Sequence, residues 1–387
     1  MQGPNGALGR VRDVRRSDDF PTSYRITGTR MLLSDRLQNR QNNFDAIRLI
    51  AASMVIFGHS YPICGNYAEP YAVLSGYAFT GGLGVQIFFV LSGFLITQSW
   101  LTKPELFRFV RNRALRLLPA LAVNLLVITL IMGPIVSELP AREYFRHPDT
   151  LRYLKSIFLF PIYSTLPGVF LHHPQAAGVN GSLWSLPLEV LMYGGVLALG
   201  VTRLLRLRWP VLIVLLLMLY SDLHIFDKEA ATKTYFAGVP TFQIARFGIY
   251  FVMGSLYYLY REHLPLHLSA LPLCMGLLYV SYHSPSGPFF SYFVLPYMVM
   301  VLAFAPMPDR LSRLFEKADL SYGVYVYGFP IQQVIYQYLG TRAGVWGLFA
   351  IALPSALLCA SLSWRFIEKP ALRLKNFRFR SVAAPAS

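Results

Sequence analysis

Ten long apolar segments run through this chain, and they constrain its fold more than any other feature. Each is close to the ~20 residues that cross a bilayer as an α-helix. Hydrophobic residues make up 55% of the 387 residues and charged residues only 14%. Soluble domains usually carry about 25% charged residues. The sequence therefore predicts an all-α, polytopic membrane protein with about ten transmembrane helices in one domain. The segments are 44–63, 79–98, 115–136, 182–200, 209–226, 241–259, 266–283, 288–305, 321–339 and 343–366.

These segments divide the chain into three parts. Residues 1–43 are rich in arginine and aspartate and have little periodic apolarity, so they predict a flexible cytoplasmic extension. Residues 44–366 form the predicted membrane-embedded domain, and 367–387 form a basic cytoplasmic tail. A shorter apolar stretch, 153–171, is interrupted by two prolines. It predicts an interfacial or re-entrant segment rather than a further crossing.

The net charge of +16 is concentrated in alternate loops. Stretches such as 108–116 and 202–208 are basic, whereas 64–78 contains no Lys or Arg. The positive-inside rule therefore predicts that both termini are cytoplasmic. No basic run alternates with polar or aromatic residues, so membrane lipid is an expected partner and nucleic acid is not. The three cysteines are far apart and lack metal-ligand spacing, which predicts neither a disulfide framework nor a metal site.

The first apolar segment carries two ionisable side chains at membrane depth, Arg48 and His59. They lie on one helix face, about 16 Å apart along the axis. Arg48 can pair with Asp45 at i,i+3. A buried arginine costs about 2.5 kcal/mol or more on insertion scales, so Arg48 is expected to face protein, water or a ligand. For His59 two roles stay open: a packed histidine bonded to a neighbouring carbonyl, or a group that exchanges protons.

Three further features are each compatible with a structural or a functional role. Counted from the ends of their predicted helices, Glu189 and Arg246 lie at a depth similar to that of His59. Glu189 is predicted to approach His59, and a buried Glu189–Arg246 ion pair is the alternative. The glycines within 81–93 allow either close helix packing or close approach of backbone to an extended ligand. The arginines of the "RFVRNRALR" stretch serve either topology and lipid contact or binding of an anionic cosubstrate through its phosphates.

Six short motifs occur in a fixed order between residues 43 and 372. They are "FDAIRLIAASMVIFGH", "GVQIFFVLSGFLIT", "RNRALRLLP", "GSLWSLPLEV", "LSYGVYVYGFP" and "FIEKP". Together they resemble the bacterial membrane-bound acyltransferase 3 family. That resemblance implies a ten-helix enzyme of the bacterial inner membrane that moves acyl groups, mostly acetyl from acetyl-CoA, onto sugar hydroxyls of surface or secreted glycans.

The resemblance also implies roles for residues at matching motif positions. His59 matches the essential histidine and is predicted to be the general base, with Glu189 as an orienting partner. Arg48 matches the arginine that accompanies this histidine, and it is predicted to bind the donor at the cytoplasmic end, where the phosphates of CoA would lie. Arg113 and Arg116 match the family's cytoplasmic arginines and are predicted to bind the phosphates of CoA.

The acceptor, a glycan or lipid-linked sugar, is predicted to contact Asn180, Trp184 and Arg246. Trp184 has a second possible role as an interfacial anchor. One departure from the family is Gly328, which stands where many members have a histidine. A multi-pass transporter of a small or lipid-linked solute is the rival class of function, because charged residues at membrane depth also line transport paths. The two halves of the chain show no repeat of the kind common in transporters.

Overall fold

The computed structural model describes residues 32–38, 42–175, 178–225, 235–308, 315 and 318–376, and this part of the chain is predominantly helical. Much of the predicted N-terminal extension (1–31 and 39–41) and the end of the predicted tail (377–387) lie outside these ranges. The α-helices are α1 (Leu33–Gln38), α2 (Phe44–Ile63), α3 (Pro70–Ser75), α4 (Thr80–Thr102), α5 (Leu106–Val127), α6 (Gly133–Val136), α7 (Ala141–Arg146), α8 (Pro148–Leu154), α9 (Ser185–Val201), α10 (Trp209–Tyr220), α11 (Thr241–Leu259), α12 (Leu271–Ser281), α13 (Gly287–Ala303), α14 (Ser321–Leu339), α15 (Gly344–Ser363) and α16 (Lys369–Arg373).

Shorter elements extend or connect these helices. π-helical turns follow α5, α10 and α15, at Ile128–Met132, Ser221–Ile225 and Trp364–Glu368. One two-stranded antiparallel hairpin, β1 (Tyr235–Phe236) and β2 (Val239–Pro240), precedes α11. The predicted helical fold is confirmed, and each of the ten predicted segments contains a helix.

Among the described residues, four helices are long and apolar enough to cross a membrane: Phe44–Ile63, Thr80–Thr102, Leu106–Val136 and Gly344–Arg373. The remaining segments are shorter or less apolar, so the number of crossings stays a prediction. The basic stretch 108–116, predicted as a loop, is instead helical and forms the first part of α5. Its arginines therefore sit on a helix with fixed spacing.

Helix α4 lies at the centre of the fold and approaches its neighbours backbone to backbone. A Cβ atom added to Gly93 would lie 1.8 Å from the backbone oxygen of Phe251 in α11. A Cβ on Gly84 would lie 2.5 Å from the backbone oxygen of Ala51 in α2. Small residues permit this close approach between apolar helices. At these two positions the glycines serve helix packing.

The contacts of α4 also give the helix directions. It runs antiparallel to α2, because Gly81 packs on Gly58 while Gly84 packs on Ala51. It runs parallel to α11, because the Phe89 ring contacts the Phe247 ring before Gly93 meets Phe251. We name the end at which α2 begins the arginine end, and the end at which α2 finishes the histidine end.

The chain between α8 and α9 enters the helical bundle without forming a long helix. A 3₁₀ turn at Lys155–Phe158 follows α8, and the described backbone is then irregular up to Ser185. The Asn180 side chain donates to the backbone oxygen of Val326 at 2.9 Å, and the Tyr325 hydroxyl donates to that of Ser182 at 2.8 Å. These partners lie in the first two turns of α14. Helix α9 therefore begins deep inside the protein.

Part of the predicted N-terminal extension packs on the helical domain. Leu33 in α1 is fully buried, and its backbone N–H donates to the Leu264 oxygen at 3.1 Å. The next N–H, of Ser34, donates to the Arg261 oxygen at 3.0 Å. Residues Leu33–Gln38 are thus attached to the loop that follows α11, rather than extending freely.

Candidate active site

A network of charged side chains occupies the arginine end. Arg48 pairs with Asp45 at 3.4 Å, which confirms the predicted i,i+3 pair, and it also lies 3.7 Å from Asp319. Arg116 of α5 pairs with the same Asp319 at 2.6 Å and with Glu368 at 3.3 Å. Four distant parts of the sequence therefore meet in one network.

Asp319 and Glu368 were not predicted as site residues. Asp319 directly precedes the "LSYGVYVYGFP" motif and Glu368 lies within "FIEKP". The position of each acid in or beside a family motif was therefore the sequence feature that could have identified it. Burial raises the pKa of Asp319, but Arg116, Arg48 and hydrogen bonds from Ser321 outweigh burial and hold that pKa below its usual value. Asp319 therefore stays ionised at neutral pH and links the two arginines.

A narrow cavity of about 90 Å³ begins beside this network; we name it the arginine cavity. It extends along α4 from Ile96 toward Val85, which is four residues, about 6 Å, from Gly81 at the histidine end. It contains the predicted donor-binding residues Arg48, Arg113 and Arg116 together with Glu189. Its full lining is Arg48, Val85, Phe88, Phe89, Ser92, Leu95, Ile96, Arg113, Arg116, Leu117, Ser185, Leu186, Glu189, Tyr193, Ser321, Tyr322 and Tyr325.

Arg113 differs from the two arginines beside it. In the described part of the chain, Arg48 and Arg116 have carboxylate partners, whereas Arg113 has no ion pair. Its buried Nε atom also has no hydrogen-bond partner there. Among the cavity arginines, the Arg113 guanidinium is thus the one left to bind an anion.

Glu189 is in this cavity and not beside His59. Ser92 donates to its Oε1 atom at 3.1 Å, and the Tyr193 hydroxyl donates to the same atom. Within the described residues, no hydrogen bond or ion pair joins Glu189 to His59 or to Arg246. Both predicted neighbours of Glu189 are wrong, because each prediction requires the helix that carries Glu189 to start at the membrane surface. Since α9 begins inside the protein, Glu189 lies nearer the arginine end.

His59 lies at the histidine end, with its ring between those of Phe79 and Phe329 at centroid distances of 5.7 and 5.1 Å. Its Nδ1 atom is 2.8 Å from the backbone oxygen of Val55. Since a carbonyl only accepts, Nδ1 carries the proton in a neutral ring and Nε2 holds the lone pair. No hydrogen-bond partner for Nε2 exists among the described residues, and the side chain is only partly buried. His59 thus makes the carbonyl bond of a packed histidine and still presents a basic nitrogen.

Gly328 has no space for the histidine found in many family members. A Cβ atom at this position would lie 2.7 Å from Cγ1 of Ile56 in α2. The following residue, Phe329, provides the ring that packs on His59. The protein therefore has an apolar contact at this side of His59.

The three predicted acceptor residues have different environments. Asn180 is 2% exposed, and its amide bonds Asn124 and the Val326 backbone, so it holds the loop in place. The Trp184 ring is 5.1 Å from that of Phe247, beside α11. Arg246 pairs with Asp222 at 3.4 Å and lines a different cavity from Glu189.

This second cavity has a volume of about 260 Å³, and we name it the tyrosine cavity. Its lining is polar and aromatic, and it comprises Gly76, Tyr77, Gln86, Arg246, Tyr250, Pro288, Ser291 and Tyr292. Gln86 is six residues from Ser92 of the arginine cavity, which is about 9 Å along α4. One helix thus contributes to both cavities and to the surroundings of His59.

Comparison with known proteins identifies the family. Residues 41–365 match the model of a family described as an acyltransferase domain. The chain belongs to this acyltransferase family. The resemblance seen in the six motifs is thereby confirmed, and together with the long apolar helices it makes the chain a membrane acyltransferase.

Individual relatives are similar over most of this chain. An O-acetyl transferase of Shigella phage Sf6 is 29% identical over 335 residues, covering 86% of this chain and 96% of the relative. Nodulation protein 10 of Rhizobium leguminosarum bv. viciae is 28% identical over 372 residues, covering 89% and 96%. Peptidoglycan O-acetyltransferase OatA of Listeria monocytogenes is 24% identical over 332 residues, covering 75% of this chain and 51% of that protein. No solved structure gives a significant match.

Proposed function

We propose that this acyltransferase moves an acyl group, acetyl from acetyl-CoA, onto a carbohydrate hydroxyl of a surface or secreted glycan. It would work in the bacterial inner membrane with both termini in the cytoplasm. Two relatives whose names specify O-acetyl transfer support the reaction class. The positive charge of the arginine end supports its placement toward the cytoplasm.

The observation that carries the proposal is that, within the described residues, Nε2 of His59 and the Arg113 guanidinium both lack a partner, and that the arginine cavity runs from Arg113 along α4 toward the histidine end. The phosphates of CoA would bind Arg113, because planar guanidinium groups bind phosphate strongly. The residues that line the cavity run along α4 from Ile96 to Val85, which is the direction in which an extended pantetheine arm would point away from its phosphates. Its far end at Val85 approaches the part of α4 that packs beside His59.

In the proposed reaction, Nε2 of His59 accepts the proton of a sugar hydroxyl while the hydroxyl oxygen attacks the thioester carbonyl carbon. The new C–O bond forms, the C–S bond breaks, and the leaving sulfur takes the proton back from the imidazolium. The products are a sugar ester and CoA thiol. Positioned bases of this kind commonly accelerate reactions about 10²–10⁴-fold. A competing path, in which Nε2 attacks first and an acetyl-histidine forms, uses the same nitrogen.

The test is a transfer assay with purified protein in nanodiscs, [¹⁴C]acetyl-CoA and glycan from a deletion strain. We expect wild type to label the glycan and His59→Gln to leave it unlabelled, because glutamine cannot take the proton. His263→Gln, at an exposed loop position, is the matched control and should retain activity. Glycan labelling by well-folded His59→Gln would refute the base role. If the wild-type protein in liposomes takes up a solute but transfers no label, the enzyme proposal itself fails in favour of transport.

A further inference from the structure

The tyrosine cavity contains a polar side chain for which the described residues supply no hydrogen-bond partner. Gln86 in α4 is 7% exposed, and its side chain makes no hydrogen bond to any described residue. A primary amide has two N–H donors and one acceptor oxygen, and buried polar groups are nearly always paired. An amide that faces a cavity in this way can pair with a ligand whose hydroxyl groups both donate and accept hydrogen bonds.

The charges in the cavity cancel. Arg246 contacts Oδ1 of Asp222 through Nε at 3.4 Å, and the Tyr292 hydroxyl donates to Oδ2 of the same carboxylate at 2.5 Å. Among the described residues, the outer nitrogens of Arg246 have no hydrogen-bond partner, and its pairing with Asp222 leaves no net positive charge on the wall. This arrangement favours a neutral ligand with several hydroxyl groups over a phosphate or carboxylate.

Tyrosine rings add apolar surface to this polar wall. The rings of Tyr250 and Tyr292 pack at a centroid distance of 5.2 Å, and the Tyr250 hydroxyl bonds Ser291 at 2.5 Å. Such rings combine an apolar face with a polar tip. A sugar ring has the matching surfaces, with C–H groups on its faces and hydroxyl groups at its edge.

The size and position of the cavity fit one sugar ring of an acceptor. Its volume of about 260 Å³ is just below the roughly 300–1,000 Å³ of sites for drug-sized ligands. A neighbouring cavity, lined by Ser75, His283 and Ser284, shares Gly76, Tyr77 and Pro288 with it and leads to an exposed loop. Two residues after Tyr77, Phe79 contacts His59. A ligand entering from the histidine end would therefore come close to the base.

We propose that the tyrosine cavity binds one neutral sugar ring of the acceptor, with Gln86 and the Arg246–Asp222–Tyr292 group as its hydrogen-bonding partners. The proposal rests on the acyltransferase function proposed above, and it assigns the acceptor site. Gln86 and Tyr292 are then binding residues that act on acceptor affinity and leave donor affinity unchanged.

The test is the steady-state transfer assay in nanodiscs, with the acceptor and [¹⁴C]acetyl-CoA varied separately. Gln86→Ala and Tyr292→Phe should each raise the acceptor KM about tenfold, the loss expected for one hydrogen bond. Their donor KM should stay at the wild-type value. Gln98→Ala on α4 and Tyr297→Phe on α13 are matched controls outside both cavities and should leave both KM values unchanged.

Three results would distinguish failure of the proposed acceptor site from failure of the proposed function. A wild-type acceptor KM in both Gln86→Ala and Tyr292→Phe overturns the proposed site. Failure of the wild-type protein to label any glycan overturns the proposed function instead. Inorganic phosphate that competes with the acceptor more strongly than a neutral methyl glycoside would show an anion site and refute the neutral-sugar assignment. Gln86→Met, which keeps the size of the side chain, replaces Gln86→Ala if the smaller side chain destabilises the protein.

Discussion

The environment of Arg113 predicts that its loss weakens donor binding without unfolding the protein. Substituting Arg113 with Gln removes a guanidinium that has no carboxylate partner in the described part of the chain, so no buried charge is left behind. A charged hydrogen bond contributes about 1.5–3 kcal/mol. Since 1.4 kcal/mol corresponds to a factor of ten, the KM for acetyl-CoA should rise about tenfold or more. We expect the lower end of this range because Arg113 is only half-buried.

The assay measures initial rates with varied acetyl-CoA at saturating acceptor, and thermal unfolding of the same samples in detergent. Arg108→Gln is the matched control, because it removes the same charge from the same helix at a position outside the arginine cavity. The acceptor KM and the unfolding temperature of Arg113→Gln should stay near the wild-type values. Equal effects of Arg113→Gln and Arg108→Gln would refute a specific donor-binding role for Arg113, since these arginines would then act only through general surface charge or topology.

Two further predictions concern the other cations of the arginine end. Arg116→Gln should lower the free energy of unfolding by about 3–5 kcal/mol, because it leaves Glu368, which is 2% exposed, without a counter-ion. The double variant Arg116→Gln/Glu368→Gln should unfold at a higher temperature than Arg116→Gln alone. A lower unfolding temperature of the double variant would contradict the charged network. Burial and the nearby Arg113 and Arg116 lower the pKa of Lys375 to about 8, so Lys375 is charged below that pH and loses its charge above it. The donor KM should therefore rise as pH increases through about 8, and an equally steep rise in Lys375→Arg would exclude Lys375 as the cause.

The helical fold was predictable because burial in a membrane imposes a simple sequence pattern. Lipid offers no hydrogen bonds to the backbone, so each apolar stretch of sufficient length must form helix. The sequence allowed two interpretations of the glycines in α4, close helix packing or close approach to a ligand. The contacts of Gly84 with Ala51 and of Gly93 with Phe251 show helix packing at these two positions. The Asp45–Arg48 pair followed directly from helical spacing, because both residues lie on one helix.

Contacts between distant helices were harder to predict. The depth of Glu189 depends on where α9 begins, and that start is fixed by hydrogen bonds from Asn180 and Tyr325 that link the preceding loop to α14. No local pattern in "NGSLWSLPLEV" contains this information. Asp319 and Glu368 were missed for the same reason. Each is a single acidic residue beside an apolar motif. Its role as an ion-pair partner becomes visible only in the fold, where Arg116 of another helix lies next to it.

The corrected position of Glu189 changes the expected chemistry at His59. A carboxylate beside the ring would stabilise an imidazolium and hold the proton there. In the structure the Nδ1 partner is the neutral carbonyl of Val55, and Glu189 instead bonds Ser92 and Tyr193. Among the described residues, no carboxylate is within ion-pair distance of His59. An imidazolium formed during attack therefore lacks a counter-ion, so it should pass the proton quickly to the departing thiolate. This geometry favours a base that relays one proton within a single transfer step.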